Sequence, residues 1–161
     1  MGAFATVKMP VDLTRRHNAA EAALSIVATF PGTRNVALDE AAGTVTFDLH
    51  FPGNMTRLVR RLHDGLVPVG ERAAVSLPIE SLVTEPIAGG PAAVAARVVE
   101  GAEVWDVAFA RGHWVESARL DGDRLEAAIV PHSNAMHQIY DALLNLGLVV
   151  NDLPVAGARG V

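Results

Sequence analysis

The chain contains no cysteine, which excludes disulfides, thiolate nucleophiles, iron–sulfur clusters and Cys-ligated zinc. Aromatic residues are scarce at 5%, so any core is built mainly from alanine, valine and larger aliphatics. Positive charge is in short supply: 13 Lys and Arg face 18 Asp and Glu, a formal net charge of −5. That balance argues against a nucleic-acid partner, which needs clustered cations. No apolar run approaches the roughly 18 residues of a membrane span. Residues 1–8 show no basic segment followed by an apolar one, so no secretory signal is expected. These absences point to a soluble, cytoplasmic protein without a membrane partner.

Half of the residues are hydrophobic and 19% are charged, a composition that folds. One motif occurs twice, about 80 residues apart. The first copy runs Pro52, Asn54, Met55, Leu58, Val59, Leu62 and closes on Gly65, Leu66, Val67. The second runs Pro131, Asn134, Met136, Ile139, Tyr140, Leu143 and closes on Gly147, Leu148, Val149. Each describes an amphipathic helix with a capping residue before it, a glycine after it, and a short strand beyond.

Around the first copy the pattern predicts a strand over 4–9 and a helix capped at Asn18 and stopped by Pro31 and Gly32. Strands over 36–38 and 44–51 follow, the latter with Val45, Phe47, Leu49 and Phe51 inward. A helix over 55–63 and a strand within 66–82 complete the order β-α-β-β-α-β. Residues 85–90 read as a linker. The second half repeats the order more weakly. Residues 93–99 are taken as a strand by analogy and 104–111 as a helix, although alanine leaves 92–111 ambiguous. A hairpin of 115–120 and 124–130 turns at Asp121 and Gly122; a helix over 136–144 and a strand over 148–150 close the unit. The expected fold is therefore α+β: two tandem ferredoxin-like sandwiches, 1–84 and 91–150, packed as a pseudo-dimer, with a loose tail at 151–161.

Residues 4–69 resemble a heavy-metal-associated domain. The likeness lies in Val7 and Met9 ending the first strand, Phe30-Pro31-Gly32 after the helix, and Val36, Leu38 and Asp39 followed by Gly43 and Val45. A final helix leads to Gly65, Leu66 and Val67. The resemblance implies the fold, but such domains carry soft metals on a Met-x-Cys-x-x-Cys motif at the end of the first strand. Here residues 9–17 hold no thiol, the ligand that selects Cu(I), so copper chaperoning is not implied.

Histidine offers substitute chemistry. His17 and His63 fall at the end of the first unit where the metal-binding relatives hold their ion, with Asp12 or Asp64 as an oxygen donor. Imidazoles there would suit Zn, Cu(II) or Ni. In the second unit, His113 and His132 share the opposite end, with His137 one helical turn further on. Trp114, beside His113, marks a candidate partner surface. The cluster Arg57, Arg60 and Arg61 reads as a solvated helix face. No serine sits in a glycine-rich elbow, and turn chemistry accounts for Asp121 and Asp123, so no catalytic residue is assigned. The expected role is non-catalytic: a binding, adaptor or scaffold protein whose partner is another protein, a small ligand or a second copy of itself. The alternatives are divalent-metal binding at His17 and His63, or small-molecule sensing with the ligand between the two units.

Overall fold

Strands form where apolar and polar residues alternate, because successive side chains point to opposite faces. The computed structural model describes residues 4–51, 53–62, 65–78, 96, 114–122 and 124–145, with residue 120 and residues 141–145 described by backbone alone. Strand β1 (Phe4–Pro10) buries Ala5, Val7 and Met9, and β3 (Thr44–His50) buries Val45, Phe47 and Leu49. Strand β4 (Ala73–Pro78) buries Ala73, Val75 and Leu77, and β6 (Arg124–Ile129) buries Leu125, Ala127 and Ile129. Strands β2 (Thr33–Asp39) and β5 (Val115–Asp121) complete an antiparallel sheet of order β2-β3-β1-β4-β6-β5.

Three described helices supply the apolar layer that covers the buried face. Helix α1 (Ala19–Thr29) contributes Ala19, Ala23 and Val27, α2 (Met55–Arg61) contributes Met55, Leu58 and Val59, and α3 (Ala135–Asn145) contributes Ala135, Met136 and Ile139. These side chains and the inward strand residues form one continuous core. Burying a side chain the size of Phe47 or Leu49 stabilises the fold by roughly 1.5–3 kcal/mol.

The first four strands take the order β2-β3-β1-β4, compatible with a ferredoxin-like sandwich. The six described strands do not divide into two sheets. The far edge of β4 exposes backbone donors and acceptors, and β6 pairs with it from Ala73 opposite Ile129 to Pro78 opposite Arg124; an unpaired edge invites that addition. The order then reads the same from either side, with β1 and β4 antiparallel at the centre and Val7 opposite Val75. Val7 also faces Phe47 and Val75 faces Ala127, so Phe47 and Ala127 occupy matching positions. The two are 80 residues apart, as are Asn54 and Asn134 at the starts of α2 and α3.

Local differences from the sequence pattern have physical causes. Asn18 precedes α1 but makes no side-chain cap; its Oδ1 accepts a hydrogen bond from Arg16 Nε at 3.2 Å instead. Strand β2 begins three residues earlier than expected and is bulged between Arg34 and Ala37, where Asn35 takes φ 56°. Leu66 and Val67 are buried in a loop and are not a strand, since Gly65 and Gly70 at φ 80° and 98° bracket Pro68, which has no N–H to donate. The expected hairpin at Asp121 and Gly122 forms, with Gly122 at φ 66°. Ala96, the one described residue of the expected strand 93–99, is helical and exposed, which corrects that assignment at this position and suits alanine's high helix propensity. The rest of that stretch, the linker, helix 104–111, closing strand 148–150 and tail lie outside the described residues.

Candidate functional site

The loop after β3 sets up one wall of a cleft. Gly53 takes φ 62°, and a Cβ there would lie 2.6 Å from His50 O and from the Leu49 side chain, so only glycine passes. The chain then enters α2 through Asn54, whose Oδ1 accepts from Arg57 N at 2.9 Å. One residue further along than Met55, Thr56 points away from the core towards the loop before α3. Its hydroxyl lies 3.0 Å from Ser133 O and 2.8 Å from Asn134 Oδ1, a single donor shared between two acceptors.

The opposite wall is a turn held by its own side chains. Ser133 is 8% exposed and donates through Oγ to Val130 O at 2.6 Å, while Asn134 O accepts from His137 N and Gln138 N. Phe51 and Tyr140 add a tilted ring contact at 6.1 Å, which fixes α3 against the end of β3. These contacts leave a cleft of about 430 Å³ lined by Thr56, Val59, Arg60, Val67, Val69 and His132. Val59 and Val67 are buried, Val69 is 87% exposed, and Arg60 and His132 reach solvent. Among the described residues, the lining thus offers aliphatic walls, one guanidinium and one imidazole, with no carboxylate. It can hold a small anion that has an apolar part.

A second groove, of about 500 Å³, lies between α1 and α2 and is lined by Ile26, Thr29, Arg57, Arg60 and Arg61. The Arg61 guanidinium sits 5.5 Å from the Phe30 ring centroid, a cation–π distance. Arg60 borders both spaces.

The residues singled out from sequence fare unequally. His132 lines the cleft. His17 is exposed in the loop between β1 and α1, and His137 is exposed on α3. His63 and His113 lie outside the described residues, as does Asp64. Trp114 is 38% exposed, and its carbonyl accepts from Val130 N at 2.8 Å, placing it beside the turn that carries His132. Asp12 is engaged: the Thr14 hydroxyl at 2.6 Å and the Thr14 N–H at 3.0 Å hold its carboxyl below the usual range. Among the described residues, no three His, Asp or Glu side chains gather as a metal-binding group. No described helix is long and apolar enough to cross a membrane. Sequence reasoning missed Thr56 and took Arg60 as part of a solvated face. The only signal for either was its place on the polar side of α2.

Away from the clefts, the outward face of the sheet carries a tight polar group. Asp48 accepts from Asn35 Nδ2 at 2.9 Å, Thr6 Oγ1 at 3.0 Å and Arg34 Nε at 3.4 Å. Burial pushes its carboxyl up, but these hydrogen bonds and the Arg34 charge outweigh it, and the net shift is downward.

No family model matches the chain, and no curated protein matches it. Among solved structures, a chain from the crystal structure of aspartokinase alpha and beta subunits is similar over 91% of this chain and 97% of that one, at 13% identity and a TM-score of 0.28, too low to carry either a fold or an activity across.

Proposed function

We propose that the chain is a non-catalytic ligand-binding domain built from two fused copies of a β-α-β-β-α unit, with β1 and β4 as equivalent first strands. Support for the duplication is the symmetric strand order and the 80-residue offset shared by Phe47 and Ala127 and by Asn54 and Asn134. Val7 and Val75 in the first strands are 68 apart, so the second copy is 12 residues longer between its first and third strands. On this reading the second unit starts at β4, and α2 and α3 belong to different copies.

The proposed ligand is a small aliphatic carboxylate, amino acids included, bound in the cleft between α2 and the turn before α3. One observation carries this reading: Arg60 on α2 and His132 in the turn before α3 line one cleft with Val59 and Val67. A guanidinium holds a carboxylate through two parallel hydrogen bonds. His132 adds a donor, and the valines cover the hydrocarbon. The Thr56 bridge to Ser133 and Asn134 ties the two walls together, so occupancy would stiffen the junction between the copies.

The test is a melting-temperature screen of the full chain against the amino acids and short-chain carboxylates, followed by titration calorimetry of any hit. A ligand at about 100 times its Kd stabilises by ~2.7 kcal/mol, which raises Tm by about 5–10 °C in a chain of this size. Arg60→Ala should remove the shift, and His132→Gln should reduce it. A screen without a shift, or a hit whose affinity survives Arg60→Ala, would refute the proposal.

A further inference from the structure

We infer that the groove between α1 and α2 is a separate site for a pyrophosphate group, held by Arg57, Arg60 and Arg61. Three guanidinium groups line it, and the other described lining residues, Ile26 and Thr29, are neutral. The chain as a whole carries a net charge of −5, so a wall of three cations runs against its background. Several other described arginines are matched by a carboxylate: Arg34 pairs with Asp48, Arg72 with Glu116 and Arg124 with Glu126. Among the described residues, Arg57, Arg60 and Arg61 have no acidic partner.

Helix electrostatics explains part of this arrangement and leaves the decisive part unexplained. Arg60 and Arg61 stand in the last turn of α2, where cations are favoured by the helix dipole. Arg57 is the third residue of the same helix, in the first turn, where the dipole disfavours a cation. It also stands three and four residues before Arg60 and Arg61, the spacing at which like charges on a helix repel. An anion in the groove turns both costs into attraction. Pyrophosphate fits because its several negative charges lie on adjacent phosphoryl groups, each able to take a guanidinium fork. The space of about 500 Å³ leaves room for an organic group attached to it. Because Arg60 also lines the cleft described above, ligands at the two sites should compete for it.

The experiment titrates inorganic pyrophosphate into the full chain by calorimetry, with sodium sulfate at matched ionic strength as the reference anion. Saturable binding at least tenfold tighter than that of sulfate is expected. Arg57→Gln and Arg61→Gln should each weaken it tenfold or more, with circular dichroism confirming that each variant is folded. Arg57→Lys, which keeps the charge and loses the fork, should weaken it less. A parallel titration with a nucleoside diphosphate separates the sources: tighter binding than pyrophosphate assigns the site to a nucleotide, and equal binding assigns it to the pyrophosphate alone. Pyrophosphate that binds no better than sulfate, or equally well after Arg57→Gln, would overturn the inference. The carboxylate screen is read independently on the unaltered chain, so either site can fail without the other.

Discussion

Gly53→Ala should be among the most damaging single-methyl additions in the described structure, and its cost separates into two parts. Gly53 has φ 62°, and the left-handed backbone costs an L-residue roughly 1–2 kcal/mol. The added Cβ would also lie 2.6 Å from His50 O and 2.6 Å from both Leu49 Cγ and Cδ2. Leu49 is fully packed in the core, so it cannot swing aside, and overpacking of this kind costs about 1–3 kcal/mol more. The expected total is about 3 kcal/mol, or a Tm lower by roughly 6–12 °C. Gly122 supplies the control. Its φ is 66°, yet a Cβ there meets nothing within 4 Å. Gly122→Ala should therefore show the backbone part alone, about 1 kcal/mol and a Tm lower by roughly 2–4 °C. Thermal unfolding followed by circular dichroism measures both. Equal losses for the two variants would refute the steric argument for the loop that launches α2.

Two further outcomes are expected. Thr56→Val keeps the shape of the side chain but removes the donor shared by Ser133 and Asn134, and should cost about 0.5–1.5 kcal/mol in urea unfolding; it should also weaken any ligand held between the two walls. The Asp48 carboxyl is lowered in the folded chain, so its stabilisation is fully present above the unfolded value near 3.8 and is lost as pH falls through the folded one. Asp48→Asn should accordingly be less stable than the parent at pH 7, with the difference shrinking below about pH 4 in acid titrations of stability.

Alternation made β3 legible, because Val45, Phe47, Leu49 and Phe51 interrupt a polar series with period two and all four are buried. The starts of α2 and α3 were legible for a similar reason: Asn54 and Asn134 precede apolar stripes of helical spacing, although only Asn54 makes the cap bond, since Asn134 Oδ1 takes the Thr56 hydroxyl. The single sheet was not. Which strand covers the edge of β4 depends on a pairing of residues about 50 apart, and alternation looks alike in a central strand and an edge strand. Leu66 and Val67 misled because buried loop residues are as apolar as a short strand. The cleft was only half visible. His132 could be placed in a loop from sequence, whereas Arg60 sat on a helix face whose neighbour arrives from another part of the chain. A helical projection shows what leaves the core and says nothing about what approaches it from outside.

The central claim is that a small carboxylate binds where the two halves meet. Two-dimensional amide NMR of the full chain, titrated with the best compound from the melting screen, tests it most directly. Saturable shifts confined to Thr56, Val59, Arg60, Val67 and the turn around His132 are the predicted result. Shifts that fall elsewhere while those amides stay unmoved would contradict it.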